Sequence, residues 1–261
     1  MPPALLEIHH LTKRFGGLTA LSDVTVSVAP NEIVGLIGPN GAGKTTLFNC
    51  ITGLLRPDAG TIAFGRDRKE PLMGLPPHQV MQYGVARTFQ NIRLFATMTV
   101  LEHVLVGVYI LTHTGLLGAV LQTAESRREE RWAVDRARGI LQALGLTALA
   151  DQVASSLPFG LQRRLELARA LASEPALLLL DEPAAGLNPT EKQGLLALIG
   201  RLRGQGLTVL LIDHDMRFVM PVSDRVVVLD DGQVIAEGPP NLVQGDPRVI
   251  EAYLGKHNIL H

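Results

Sequence analysis

The 261-residue sequence has little of the chemistry that marks disulfide-rich or nucleic-acid-binding proteins. Its single cysteine, Cys50, excludes an internal disulfide framework and fits a reducing compartment. Lysine and arginine number 24 against 25 acidic residues, a formal net charge of -1, so no basic field argues for a nucleic-acid partner. The segment from Glu125 to Arg138 interleaves acids with bases, which predicts a solvated helix face and leaves a nucleic-acid patch as the minor alternative.

We also expect no segment for export or membrane crossing. The opening MPPALLEIHH has no charged stretch followed by an apolar run, so we expect no signal peptide. An apolar stretch from Val104 to Leu121 approaches the roughly 18 residues at which a membrane span becomes plausible. Glycines and a Thr-His-Thr run interrupt it. We therefore predict a helix, a break and a second short helix there.

The apolar patterning indicates an α/β protein, and 46% hydrophobic residues are enough for a sizeable core. Period-two alternation and unbroken apolar runs predict strands. These cover Leu6 to Leu11, Val24 to Val28, Glu32 to Ile37, Thr61 to Phe64, Leu177 to Leu180, Thr208 to Ile212, Arg225 to Leu229 and Gln233 to Glu237. Helical periodicity predicts helices over Thr45 to Leu55, Gln162 to Ala172, Pro189 to Arg203 and in the tail from Pro240 to Gly255.

The distribution of these elements predicts one domain with an insertion. Residues 1–90 and 172–261 carry the α/β pattern, and residues from about 91 to 171 are almost wholly helical. Leu177 to Leu180 is an unbroken apolar run of the kind found in a parallel sheet. We predict a mostly parallel core sheet, an N-terminal antiparallel portion and an inserted helical subdomain.

One motif carries a definite chemistry. A full match to G-x-x-x-x-G-K-[ST] lies between a predicted strand and a predicted helix. It consists of Gly38, Pro39, Asn40, Gly41, Ala42, Gly43, Lys44 and Thr45, with Thr46 next in the predicted ATP-binding set. Glycines let backbone N–H groups curl around phosphate oxygens, and the following helix points its positive end at them. Lys44 should reach the β- and γ-phosphates, and the Thr45 hydroxyl should bind Mg²⁺.

Two adjacent acidic residues narrow the classes of protein that the phosphate loop allows. The phosphate loop alone leaves kinases, GTPases and motors open. Asp181 directly follows the predicted strand from Leu177 to Leu180, where Mg²⁺ coordination is needed, and Glu182 comes next as a candidate general base. Adjacent acids after a strand are compatible with a solvated turn, but the loop upstream favours hydrolysis. The combination predicts a P-loop NTPase core that binds a nucleoside triphosphate together with Mg²⁺.

The sequence resembles the ATPases of ABC transporters over essentially its whole length. Five further features stand in the order found in that family. They are Phe15, Gln90, the stretch from Leu157 to Gln162, the stretch from Ala185 to Asn188, and His214. Taken alone, neither aromatic residue indicates a function. A phenylalanine such as Phe15 is common at a surface or in a core, and a histidine such as His214 is common in packed or surface positions.

The resemblance implies a role for each feature. Phe15 would stack on adenine, and Gln90 would touch Mg²⁺ and the attacking water at the junction with the helical lobe. His214 would be the switch histidine, catalytic with Glu182 and Lys44. The signature residues would face the nucleotide of a second ATPase subunit. They are Pro158, Phe159, Gly160 and Gln162.

Two positions depart from the family pattern. Pro158 stands where the signature serine is usual, and proline offers neither a hydroxyl nor an N–H. Asn188 replaces the usual aspartate of the loop before the next helix. How well this chain completes the site of its partner is therefore open.

The resemblance also implies partners and a location. Two ATPase domains, identical or different, would pair head to tail on transmembrane permease subunits, peripherally at the cytoplasmic face of the cell membrane. The stretches RTFQNIRLF, DEPAAGLNP and PRVIEAYLG look most like branched-chain amino-acid importers, and lipopolysaccharide exporters look partly similar. A soluble non-transport ABC ATPase, a nucleotide-sensing module and a small-molecule kinase are the competing classes of protein. The sequence encodes neither the transported compound nor the direction of transport.

Overall fold

The strands of the computed structural model form two sheets. The structure describes residues 3–112 and 124–254. In chain order the strands are β1 Leu6–Phe15, β2 Leu18–Val28, β3 Ile33–Ile37, β4 Ala59–Phe64, β5 Glu70–Pro71, β6 Val85–Arg87, β7 Leu177–Asp181, β8 Thr208–Ile212, β9 Arg225–Asp230 and β10 Gln233–Gly238. The helices are α1 Lys44–Ile51, α2 Pro77–Gln82, α3 Val100–Val108, α4 Ala124–Ala143, α5 Phe159–Leu171, α6 Pro189–Gly204, α7 Met216–Val222, α8 Pro240–Gln244 and α9 Pro247–Leu254.

The chain divides into two compact units, which are described separately. One unit consists of residues 1–87 and 176–261, and the other of residues 88–175. Both sheets belong to the first unit, and helices α3, α4 and α5 belong to the second. These limits lie a few residues outside the predicted subdomain of about 91–171.

The first sheet is antiparallel and has the strand order β2-β1-β4-β5. Along β1 the residues Leu6, Ile8 and Leu11 are buried while His9 and His10 are exposed, which produces a one-sided apolar face. The strand extends beyond the predicted Leu6 to Leu11 and ends at Phe15. This sheet is the predicted N-terminal antiparallel portion.

The second sheet brings the ends of the central strands together. Its order is β10-β9-β3-β8-β7-β6, and every pairing except that of β10 with β9 is parallel. Every residue of β3, β7 and β8 is buried, as expected for strands covered on both faces. Leu36 and Asp181 both pair with Ile212 of β8. The loops after these three strands therefore begin at one edge of the sheet.

Two helix boundaries differ from their predictions for local reasons. The helix predicted to reach Leu55 ends at Ile51, because Gly53 turns the chain with a φ of 72° and its N–H donates to Cys50 O (3.3 Å). The helix predicted from Gln162 begins at Phe159, with Pro158 as its N-cap. Proline suits the start of a helix because its φ is fixed and no N–H is lost to the hydrogen-bond ladder.

The apolar stretch that begins at Val104 is only partly described. Helix α3 ends at Val108, and a 3₁₀ turn covers Tyr109–Leu111. The second short helix predicted up to Leu121 lies outside the described residues. Among the residues that are described, none of the helices combines the length and the apolar composition needed to cross a membrane.

Close packing of α3 against α5 organises the second unit. A Cβ added at Gly107 would lie 2.3 Å from Arg169 O and 2.7 Å from the Cβ of Ala172. Thr99 caps the start of α3 and exchanges hydrogen bonds with Glu102, 3.2 and 2.7 Å long, in a capping box. The absence of a side chain at Gly107 thus allows the two helices to approach each other.

We predict that Gly107→Ala lowers the free energy of unfolding by about 1–3 kcal/mol, since backbone and a core methyl group must move. Gly139→Ala on α4 is the matched control. Nothing lies within 4 Å of a Cβ at Gly139, so this variant should gain about 0.5–1 kcal/mol from helix propensity. Urea denaturation of both variants measures the difference. Equal stabilities would contradict the packing account.

Candidate functional site

The phosphate loop lies between β3 and α1 and requires glycine at defined places. Gly38 has a φ of 147°, and a Cβ there would lie 2.0 Å from Leu229 O. Gly43 has a φ of 100°, and a Cβ there would lie 2.5 Å from Ala20 O. A side chain at either position would displace backbone, so the turn depends on glycine.

The end of the loop presents backbone donors and a cation. Helix α1 starts at Lys44, with Gly43 as an N-cap that supplies no side-chain hydrogen bond. The first N–H groups of the helix are therefore available to an anion, and the helix dipole favours negative charge there. The Lys44 ammonium lies across the loop and donates to Gly38 O (2.7 Å) and Pro39 O (2.8 Å). Asn40 and Gly41 are exposed at the turn of the loop.

The first acid of the pair is buried and has a partner that the sequence analysis missed. Asp181 is the last residue of β7 and is 4% exposed. Its Oδ2 accepts a hydrogen bond from Arg87 Nη2 (2.7 Å). Arg87 ends β6, the neighbouring strand, 94 residues earlier in the chain. The contact uses one of the two carboxylate oxygens of Asp181.

The second acid occupies a strained backbone position. Glu182 has a φ of 47°, which is uncommon for a residue with a side chain and costs about 1–3 kcal/mol. Its N–H donates to Ile212 O (2.7 Å), which ties the end of β7 to the end of β8. Glu182 Oε2 lies 3.7 Å from Nδ1 of His214, whose side chain is 68% exposed. The predicted base and the predicted switch histidine are therefore neighbours.

Asp213 braces the two loops that carry these residues, and the sequence analysis did not identify it. It is 1% exposed, and its two carboxylate oxygens accept from Ala184 N (3.1 Å) and Asp215 N (2.9 Å). The signal for it was an acid directly after the buried strand β8. Asp215 caps α7 and accepts from Lys192 Nζ (2.6 Å), and that bond lowers the pKa of the Asp215 carboxyl.

Other predicted residues lie at the surface. Phe15 ends β1, is 46% exposed and has the Lys13 ammonium 5.4 Å from its ring centroid. An exposed aromatic ring with one open face is suited to stacking on a base. Asn188 is the N-cap of α6: its Oδ1 accepts from Glu191 N, and its own N–H donates to Glu191 Oε2, both at 2.9 Å. The spacing Asn-x-x-Glu was a readable signal for this cap.

In the second unit, Gln90 is exposed, and its backbone carbonyl accepts a hydrogen bond from Arg163 Nη2 (2.7 Å). The Glu166 carboxylate accepts from Phe89 N (3.1 Å), and burial raises the pKa of that carboxyl. Arg163 and Glu166 both belong to α5, the helix that starts in the signature stretch. The backbone around Gln90 is therefore fixed to that helix.

The signature stretch forms the start of α5. Pro158 is the N-cap, and Phe159 is 47% exposed with its ring centroid 5.7 Å from Arg163 Cζ. Gln162 donates from Nε2 to Leu157 O (2.9 Å). Gly160 lies in the first turn of the helix.

The arrangement fits a magnesium-dependent nucleotide site. In residues 3–112 and 124–254, no group of three or more His, Cys, Asp or Glu side chains forms a metal cage. Mg²⁺ usually binds through one or two carboxylates together with phosphate oxygens, which matches Asp181 near a phosphate loop. Thr45 and Asp181 are the candidate protein ligands in the first unit. The fold and the site define a P-loop nucleoside triphosphatase.

Comparison with known proteins gives the family. A family model described as ABC transporter matches residues 21–185, and one described as branched-chain amino acid ATP-binding cassette transporter matches residues 233–258. The high-affinity branched-chain amino acid transport ATP-binding protein LivG of Escherichia coli is 48% identical over 98% of this chain and 100% of its own length. The lipopolysaccharide export system ATP-binding protein LptB of Acidithiobacillus ferridurans is 38% identical over 96% of this chain and 97% of its own length.

A solved structure agrees with this result. The crystal structure of the ADP conformation of an ATP-binding cassette of an ABC transporter has a TM-score of 0.83 at 34% identity, covering 97% of this chain and 99% of its own. The chain belongs to the ABC transporter family of ATP-binding proteins. The predicted family and the predicted α/β fold class are both confirmed.

The brace at Asp213 yields a prediction. In Asp213→Asn, an amide group must face one of two backbone N–H donors, so the free energy of unfolding should fall by about 1–3 kcal/mol. Asp67→Asn, at an exposed bend in the same unit, is the control and should change it by less than about 0.5 kcal/mol. Urea denaturation compares the two. A variant at Asp213 as stable as the control would show that the brace contributes nothing.

Proposed function

We propose that this chain is the ATP-binding and ATP-hydrolysing subunit of an ABC importer of branched-chain or related amino acids. The observation that carries the proposal is the site itself: a glycine-dependent phosphate loop after β3, with the acid pair after β7 in the same parallel sheet. The amino-acid assignment is supported by 48% identity to LivG over nearly the full chain and by the family match at residues 233–258. The lower identity to LptB makes lipopolysaccharide export the second candidate.

The residues of the chain divide the work of hydrolysis. Backbone N–H groups of the loop and the Lys44 ammonium bind the β- and γ-phosphates, and Phe15 stacks on adenine. Thr45 and Asp181 would hold magnesium, which would neutralise charge on the phosphate oxygens. Glu182 accepts a proton from the water as that water attacks the γ-phosphorus, and the bond to the β-phosphate oxygen breaks to leave ADP and phosphate.

His214 supports the base. Its Nδ1 lies 3.7 Å from Glu182 Oε2, close enough for a small movement to form a hydrogen bond. Such a bond would orient the carboxylate towards the water. The strain at Glu182 fits a residue held in place for a reaction.

We infer the protein partners of this chain from the family to which it belongs. Two ATPase subunits, identical or different, pair head to tail so that the start of α5 in each completes the nucleotide site of the other. The pair closes on ATP and reopens after hydrolysis, and this movement drives the transmembrane permease subunits between two states. The subunit is peripheral at the cytoplasmic face of the cell membrane. An ATPase that acts without a membrane partner is the competing possibility, and identification of proteins that co-purify from membranes separates the two.

Glu182→Gln tests the base. It should lower the rate of phosphate release by about 10²- to 10⁴-fold, since an amide cannot accept the proton, while ATP binding persists. Glu251→Gln, at an exposed site on α9, should keep the wild-type rate. Phosphate release and equilibrium ATP binding are measured for both. A Glu182 variant with a normal rate would exclude this carboxylate as the base.

Dilution tests the pairing. If each site needs a second subunit, hydrolysis per chain should fall as the total concentration drops through the dimerisation range, because dimers dissociate by mass action. Nucleotide binding per chain should fall less, since the phosphate loop lies within one chain. Phosphate release over a concentration series gives the result. A constant rate per chain would show that a single chain is sufficient.

A further inference from the structure

Arg87 is buried at the end of β6 and contacts two elements at once. Its side chain is 6% exposed. Nη2 donates to Asp181 Oδ2 (2.7 Å) on β7, and Nη1 donates to Asn49 Oδ1 (2.7 Å) on α1. Nη1 also lies 3.4 Å from Thr52 Oγ1, and Cζ lies 5.5 Å from the centroid of the Phe48 ring. These contacts fix the guanidinium plane on several sides.

The residues that Arg87 contacts on α1 share a face with a candidate magnesium ligand. Thr45 and Asn49 are four residues apart, and Thr52 follows three residues later at the C-cap. Residues at these spacings lie on one side of a helix. Arg87 therefore joins the helix face that begins with Thr45 to the carboxylate of Asp181.

We propose that Arg87 is a positioning residue, which sets the separation between Thr45 and the Asp181 carboxylate that magnesium–ATP requires. The inference rests on the proposed function, in which these two residues hold the metal. Arg87 binds Oδ2 of Asp181 and so restricts the rotation of the carboxylate, which would fix how its other oxygen, Oδ1, meets the metal. Groups that hydrogen-bond to a ligating carboxylate commonly determine its orientation and the affinity of the site for metal.

The shape of the guanidinium matters in addition to its charge. A buried carboxylate requires a compensating cation, and any cation of suitable length would meet that need. Joining Asp181 to Asn49 needs two N–H donors held in one plane, which arginine has and lysine lacks. Lysine at position 87 therefore separates a bridging role from simple charge compensation.

The experiment compares nucleotide affinity with and without the metal. Full-length wild type, Arg87→Lys, Arg87→Ala and Asn49→Ala are titrated calorimetrically with adenylyl imidodiphosphate, once in Mg²⁺ and once in EDTA. The measured quantity is the ratio of the two affinities. Arg56→Lys is the matched control, because Arg56 lies just beyond α1 and outside the contacts described above.

Both Arg87 variants should lose about 10- to 100-fold in this ratio, with the affinity in EDTA unchanged. Asn49→Ala should change the ratio in the same direction by a smaller factor, because it removes the α1 contact and keeps the ion pair. Arg56→Lys should match the wild type. Thermal unfolding without nucleotide checks that each variant is folded, and Asn49→Ala carries the test if Arg87→Ala does not fold.

Three results would overturn the proposal. A wild-type ratio in Arg87→Lys would show that charge alone suffices. Equal losses in Mg²⁺ and in EDTA would assign Arg87 to the phosphates or to general stability. An unchanged ratio in all variants would remove any link to the metal. A wild-type protein whose affinity ignores Mg²⁺ would instead contradict the proposed function itself, so the two failures are distinguishable.

Discussion

The site depends on one constraint: parallel strands that are buried on both faces deliver their polar ends to the same edge. Strands β3, β7 and β8 are buried at every position, and their polar side chains stand only at strand ends, Thr208 at the start of β8 and Asp181 at the end of β7. Gly38, Glu182 and His214 come just after those ends. The pairing of Leu36 and Asp181 with Ile212 keeps the ends level. Register therefore decides where the chemistry lies.

The same edge is where the backbone is least relaxed. Gly38 and Gly43 adopt positive φ values beside backbone carbonyls, and Glu182 does so despite its side chain. Such conformations persist when the surrounding structure fixes them. Here the bond from Glu182 N to Ile212 O and the two bonds accepted by Asp213 fix the turn. These hydrogen bonds to buried residues thus keep the strained residues in place at this edge of the sheet.

The sequence predicted what depends on local order and missed what depends on distant pairs. The phosphate loop and the strand that ends at Asp181 follow from spacing and apolar runs. The bond between Arg87 and Asp181 joins residues 94 positions apart, and no local pattern indicates it. Helix ends were wrong where a single residue decided them, as Gly53 does for α1 and Pro158 for α5. The spacing of Asn188 and Glu191 indicates the helix cap that these two residues form. A comparison of Asn188 with the family pattern, without Glu191, does not reveal this cap.

The two residues that differ from the family pattern, Asn188 and Pro158, have different physical consequences. Asparagine and aspartate are comparable N-caps, so Asn188 starts α6 as the usual residue would, and only the formal charge differs. Pro158 removes a hydroxyl, yet it starts α5 with a fixed φ and supplies no side-chain acceptor for the first N–H groups. A serine at an N-cap commonly accepts one of those N–H bonds itself. In the proposed pairing with a second subunit, proline at this position therefore removes one donor to the facing phosphate and also removes the side chain that competes for the backbone donors beside it.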